Sequence, residues 1–329
     1  MPNEAHEVDV LIVGAGMAGL AAATELRDSG MRVLVIEQDT RMGGRVASGR
    51  IGDATFDYGA QFMTARDPRF ASLIDRWCRA GAAEEWYRSD TGHPHWRGKP
   101  AMAAIVADLA DDLDIRLEAR ITQLRTNRTH WQADLDNGEA VLTGAVVLTP
   151  PAPQSLALLD RAGVELLPAV RARVADIAYE PCISVMAVLD GPARVPSPGG
   201  LSPAQGPIAW IADNQKKGVS GTPAVTIHAD AAYSRSEWER DRQETGLRLL
   251  EAAEPWLGSR VSSFEVYGWP CSKPVRVEQR TCLIAKQTPP LVLAGDAFAG
   301  PRIEGAVLSG WSAANVLKRN RIAAVPARR

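Results

Sequence analysis

The residues VLIVGAGMAGLAAATEL, Val10 to Leu26, constrain the fold more than any other stretch. An apolar, β-branched run ends in Gly14, Gly16 and Gly19 at GxGxxG spacing, and Met17 to Arg27 then has a helical pattern that stops at Gly30, a natural C-cap. A strand-to-helix turn of this kind lets pyrophosphate approach the backbone and sets it on a helix N-terminus. Met31 to Ile36 reads as the next strand. Glu37 follows at its end, at the distance of roughly 20 residues where a carboxylate accepts from a ribose diol. Strand, helix, second strand and acid in register weigh for a dinucleotide site over a merely structural turn. They do not divide NAD from FAD.

The next glycines do. Arg41-Met42-Gly43-Gly44-Arg45 follows Glu37 almost at once and brings two guanidinium groups, whose planar forks suit phosphate, toward the same crevice. Near the far end, LVLAGDAFAGPRIEGAVLSGWSAA, Leu291 to Ala314, supplies a second glycine-rich passage from strand to helix. Asp296 closes its buried strand, where a carboxylate accepts from ribityl hydroxyls. Gly305 and Ala306 leave the following helix N-terminus uncovered, and that terminus stabilises negative charge on a reduced flavin. One long ligand, FAD, uses both turns; an NAD fold has no need of the second.

Composition excludes other classes. The 329 residues are 46% hydrophobic and 23% charged with a formal net charge of −2, and a pI near 6.3 with no long Lys/Arg run argues against nucleic acid or an anionic membrane as partner. No run of about 18 apolar residues suggests a membrane span, and MPNEAHEVDV lacks the apolar core of a signal peptide, so a cytoplasmic protein is expected. Cys78, Cys182, Cys271 and Cys282 show no CxxC spacing or disulfide framework and read as reduced thiols. His93-Pro94-His95 has no accompanying Cys, His or acidic cluster, so no metal site is expected. The tail KRNRIAAVPARR reads as a solvated end.

Along the chain, Ala71 to Trp86 reads as an amphipathic helix, SDTGHPHWRGKP as a polar loop, and Ala101 to Leu113 as a helix. Ile115 to Leu148 reads as a β-meander with Asn137-Gly138 in one turn, ended by Pro150, Pro151 and Pro153. The strands ISVMAVLD, PIAWIAD and AVTIHAD and a helix around Ser236 to Ala253 make a sheet-plus-helix region. The expected class is α/β: a Rossmann-type FAD-binding domain, glutathione-reductase-like and amine-oxidase-like, interleaved with a substrate domain. The cofactor domain is expected over 1–75, 96–155 and 281–320, the substrate domain over 76–95 and 156–280, and a flexible tail over 321–329.

GAGMAG, Glu37, RMGGR, AGD and EGAVLSG together resemble the flavin-containing amine oxidase superfamily. DYGAQFMTARDPRF, WRGKPAM, TPPAPQ and AGDAFAGPRIEGAVLSG resemble its bacterial renalase branch in type, order and spacing. The likeness covers most of residues 8 to 318 and is weak from Ala157 to Phe264. It implies that Gly14, Gly16 and Gly19, with the intervening Ala15, Met17 and Ala18, hold pyrophosphate, and that Glu37 and Gln38 meet the adenosine ribose. Gly43, Gly44 and Arg45 would line that crevice. Ile121 would meet adenine through its backbone, although a core strand residue is the alternative. Gly59, Ala60 and Gln61 would pass beside the isoalloxazine. Thr149, Pro150 and Gly295 join the cofactor set, with Asp296 at the ribityl chain and Arg302, Ile303, Gly305 and Ala306 at the pyrimidine end.

The superfamily often places an aromatic residue two positions before the Glu-Gly of the last motif; here Arg302 stands there, either facing substrate or paired with Glu304 or Asp296. Gln61, Trp269, Lys273 and Arg302 are the substrate-facing candidates, with Tyr267 beside them; Trp269 reads equally as core. The resemblance implies a renalase-like oxidase that returns misreduced dihydronicotinamides, 2- and 6-dihydroNAD(P), to NAD(P)+ by hydride transfer to flavin N5, with O2 reduced to H2O2. Such a ring becomes aromatic without losing a proton, so no acid/base pair is required. The alternatives are an FAD-dependent amine oxidase or desaturase and a flavoprotein that holds FAD without turnover. Non-covalent FAD, a small-molecule substrate and O2 are the expected partners, and a monomer is compatible with the sequence.

Overall fold

The computed structural model describes residues 6–319. The expected tail, 321–329, lies outside them. The described chain divides into two compact units, one made of 6–44, 106–178 and 274–319 and the other of 45–105 and 179–273. These packing boundaries are not those expected for the cofactor domain, since 45–75 packs with the second unit.

The first unit is built on an eight-stranded sheet. At its centre His6–Val13 lies parallel to Ala140–Leu148 on one side and Val33–Ile36 on the other. Pro290–Leu293 extends the sheet beyond Ala140–Leu148, also in parallel. The central strands are apolar on both faces because both are covered: Val10, Leu11, Ile12, Val146, Val147 and Leu148 are fully buried. The meander is present as Ile121–Thr126, Trp131–Leu135 and Ala140–Leu148 in antiparallel succession. Two helices flank the sheet, Met17–Arg27 and Ile303–Arg319. They meet so closely that a methyl group on Gly310 would lie 2.2 Å from the Ala18 carbonyl oxygen.

The second unit holds a five-stranded sheet in the order Gly200–Leu201, Ile208–Asp213, Ala224–Ala229, Ala178–Leu189, Val261–Arg276. Alternate residues of these strands, including Ile183, Val185, Ile211 and Ile227, form an apolar core with Leu249, Leu250 and Ala253 of the helix Arg242–Leu257. The hairpin Ser48–Ile51 with Ala54–Asp57 packs Phe56 against Met186 and Ala224.

Two expectations are corrected in this unit. The amphipathic helix covers Pro68–Ala80, not Ala71 to Trp86: Asp67 caps its start by accepting from Arg69 and Phe70 N–H, and Gly81 ends it in the left-handed region. The segment read as a continuation of that helix and a polar loop is a hairpin, Ala83–Arg88 paired with Pro94–Gly98. Its turn alone, around Gly92, is loop.

Candidate functional site

In the first unit three parallel strands end side by side. Val13, Leu148 and Leu293 lead directly into Gly14, Thr149 and, one residue further, Gly295. The chain moves from His6–Val13 outward one way through Val33–Ile36 and returns on the opposite side with Ala140–Leu148, so the strand order reverses where Gly14 and Thr149 meet. Open α/β sheets bind ligands at such a reversal. The Thr149 hydroxyl donates to the Val13 and Gly14 carbonyls at 2.8 and 3.1 Å.

The turn is shaped for an anion. Gly14 has φ +99°, and a methyl group on Gly19 would lie 2.0 Å from the Gly14 carbonyl oxygen, so helix and turn approach to backbone contact. At Gly16 the same methyl would meet nothing within 4 Å. Gly16 is the N-cap of Met17–Arg27, with no side chain capping the first turn and no acid in it. Gly43 donates to the Ala15 carbonyl at 2.8 Å and pairs with Gly16, so the second glycine pair lies against the first turn.

Glu37 is buried, and its carboxylate accepts from Ala15 N–H at 2.8 Å and Asp39 N–H at 3.1 Å. Burial raises its pKa above the ordinary value, against those two N–H groups. Ala119 N–H donates to the Glu37 carbonyl at 2.9 Å, two residues before buried Ile121. Asp296 is buried, Gly295 N–H donates to the Ser309 hydroxyl at 2.8 Å, and Gln38 and Arg302 are exposed.

In the second unit the segment Asp57 to Gln61 is held at almost every residue. The Asp57 carboxylate accepts from the Ser48 hydroxyl at 2.6 Å, Met102 N–H at 2.9 Å and the Lys217 ammonium at 2.9 Å. Asp57 and Lys217 have no exposed side-chain surface. The Tyr58 carbonyl accepts from His228 Nε2 and Trp269 Nε1, both at 3.1 Å, and Ala60 N–H donates to the Arg45 carbonyl. Gln61 Nε2 donates to the carbonyls of Asp57 and Gly59, while its Oε1 accepts from Lys217 at 3.4 Å. Tyr58, Tyr267 and Trp269 form a ring cluster, with Tyr58 stacked on Trp269 at 5.4 Å and Tyr267 at 4.5 Å from Trp269.

This alters two candidates. Gln61 is buried, with its amide N–H group donating to carbonyls of its own segment and its oxygen accepting from Lys217. Lys273 is exposed, and the enclosed lysine is Lys217, from a turn whose sequence, DNQKKGVS, reads as solvated surface. Arg45 Nη1 donates to the Ser272 carbonyl at 3.2 Å within the same unit. Asp57 and Lys217 are 160 residues apart, and no local pattern announces their meeting.

Burial lowers the His228 pKa from its ordinary 6.5 to about 4, with the Tyr58 carbonyl opposing. The unfolded chain therefore takes up a proton over a range where the folded ring stays neutral. The contribution is complete above about pH 6.5 and is lost as pH falls toward 4, amounting to roughly 3 kcal/mol. Urea unfolding between about pH 7 and pH 4.5 should show a steeper loss of stability in the native sequence than in His228→Gln.

The paired glycine turns at the carboxyl edge of a parallel sheet, with a buried acid at the next strand, define a dinucleotide-binding oxidoreductase fold. Residues 12–77 match the NAD(P)-binding Rossmann-like domain. Residues 77–318 match the flavin-containing amine oxidoreductase model, and the chain belongs to that family. Putrescine oxidase bound to putrescine has the same fold, at TM-score 0.68 and 16% identity over 95% of this chain and 99% of that one. A crystal structure from Exiguobacterium sp. 255-15 superposes at TM-score 0.73 and 14% identity, covering 97% of this chain and all of that one. Protoporphyrinogen oxidase 2 of Arabidopsis thaliana is 44% identical over 66 residues, which are 20% of this chain and 13% of that protein. Lysine-specific histone demethylase 1B of Mus musculus is 54% identical over 46 residues, 14% of this chain and 6% of that protein. This chain thus matches only a small part of those curated relatives' length. Among the described residues no helix is long and apolar enough to cross a membrane.

Proposed function

We propose that the protein is an FAD-dependent oxidase that takes hydride from a carbon next to nitrogen in a small substrate. The observation that carries this is the sheet edge: an open, uncapped helix N-terminus at Gly16 beside the buried Glu37 carboxylate, with Asp296 at the end of a neighbouring strand. These residues fit FAD: N–H groups and helix dipole for pyrophosphate, carboxylate for the adenosine ribose, Asp296 for the ribityl chain. Bound FAD would supply a two-electron acceptor that O2 reoxidises, with H2O2 formed. The chain's part is to orient the substrate, exclude water and set the local charge.

For the substrate, family membership and the fold shared with putrescine oxidase support an amine. A second reading, a renalase-like oxidase of 2- and 6-dihydroNAD(P), is favoured by exposed Arg302 where amine oxidases of the superfamily often carry an aromatic ring. An arginine there repels an ammonium group and suits phosphate or carboxamide. Loss of hydride makes the dihydropyridine aromatic and releases no proton, so no acid/base pair is required.

The test is anaerobic mixing of purified protein with 2- and 6-dihydroNAD(P) and, separately, with putrescine and benzylamine, following flavin absorbance. Bleaching by the isomers with NAD(P)+ formed, and colour restored by air, establishes the renalase-like reading. Bleaching by an amine alone establishes the amine oxidase. A protein purified without flavin would overturn both.

A further inference from the structure

On the five-stranded sheet of the second unit, the face turned away from the helix Arg242–Leu257 carries one polar row. Ile183, Val185, Ile211 and Ile227 pack in the core with that helix, so alternation turns Ser184, His228 and Trp210 the other way. These three are direct cross-strand neighbours: Ser184 stands opposite His228, and His228 opposite Trp210. Side chains so paired lie within reach of one another. Ser184 is fully buried, and among the described residues its Oγ has no hydrogen-bond partner. Trp210 Nε1 is likewise buried and without a partner. His228, between them, gives its Nε2 hydrogen to the Tyr58 carbonyl at 3.1 Å, which leaves Nδ1 with its lone pair as an acceptor. The rings of Phe62 and Trp86 stand beside the Trp210 end, with centres 5.6 and 6.4 Å from that of the indole.

Buried hydroxyl and indole N–H groups in folded proteins almost always have a partner, so two orphans in one cross-strand row point to a ligand. The row also limits its chemistry. Trp210 only donates, His228 Nδ1 only accepts, and Ser184 does either. A carboxylate would set its own lone pairs against Nδ1. An ammonium would set its hydrogens against the indole N–H, with no anion in the row to balance its charge. A primary carboxamide answers both ends: its oxygen takes a hydrogen from the indole or the hydroxyl, and its NH2 donates to the imidazole. Phe62 and Trp86 add apolar faces suited to a flat ring. We propose that this row is a binding site for an aromatic primary carboxamide, held by Trp210, Ser184 and His228. Every residue of it belongs to the second unit, and none of its contacts calls on a flavin.

The experiment is isothermal titration calorimetry of the purified 329-residue chain with benzamide and with benzoate, beside thermal melting of each variant. Benzamide should bind the native protein, and benzoate at least about tenfold more weakly. Ser184→Ala and Trp210→Phe should each weaken benzamide binding about tenfold, the scale of one hydrogen bond in a desolvated site. Melting temperature separates a ligand site from a structural one. Ser184→Ala deletes an unmet polar atom, so it should melt at or above the native temperature, whereas loss of a hydroxyl that serves the fold through a fixed water would lower it. Absence of benzamide binding to the native protein, or native affinity in both variants, overturns the proposal. A lowered melting temperature in Ser184→Ala with benzamide affinity unchanged does the same and makes the row a matter of hydration. Calorimetry reads the carboxamide directly, so a protein that purifies without flavin fails the oxidase reading and leaves this result standing.

Discussion

Gly19→Ala should purify without flavin and with reduced stability. The added methyl would stand 2.0 Å from the Gly14 carbonyl oxygen, and neither atom belongs to a flexible side chain that could move aside. Helix and turn must separate, at a cost of about 1–3 kcal/mol for overpacking, and the N–H groups at the helix start lose their common direction. Gly16→Ala is the informative contrast, because its methyl meets no protein atom within 4 Å. That variant should melt like the native protein and yet bind FAD at least about tenfold more weakly, since the methyl occupies the space kept for pyrophosphate. The check is the ratio of flavin to protein absorbance after purification, with calorimetry on both variants. Native flavin content in Gly16→Ala would remove the turn from the cofactor site.

Asp57→Ala should be among the most damaging substitutions in the second unit. It leaves the Lys217 ammonium, the Ser48 hydroxyl and the Met102 N–H without the acceptor that each now uses. Removing one partner of a buried ion pair typically costs about 3–5 kcal/mol, because the other charge stays buried and unpaired. Exposed Lys273 supplies the comparison: its alanine variant should lie within about 0.5 kcal/mol of the native protein. Urea unfolding of the two variants measures the difference. Equal effects would mean that the Asp57 cluster relaxes easily or admits water.

The first glycine turn, the helix after it, the meander and the final strand and helix were legible because each is specified locally, by β-branched runs, glycine punctuation and one Asn-Gly turn. So was Glu37, whose distance from the turn is dictated by a single strand, helix, strand passage. Legibility failed at Ala83–Arg88, where the helical spacing of Ala71 to Ala80 was carried past Gly81. A glycine inside an amphipathic pattern reads as tolerable until its left-handed backbone is seen. It failed more deeply at Lys217. A lysine beside another lysine in a glycine-containing turn has every local mark of solvent exposure, and only the tertiary fold brings Asp57 and Gln61 around it. For Gln61 the sequence shows an amide without showing which carbonyls its Nε2 meets, those of Asp57 and Gly59.

The contact between Gly310 and Ala18 has a temporal side. The sheet edge that Gly14 opens acquires Asp296 and the helix Ile303–Arg319 only from the far end of the described chain. A ribosome that has delivered residues 6–280 has made the Gly14 turn without the strand Pro290–Leu293 that leads to Asp296. If the proposed cofactor site is right, loading waits until residues 290–319 have been made, and a chain that stops short of them carries a glycine turn without its partner strand.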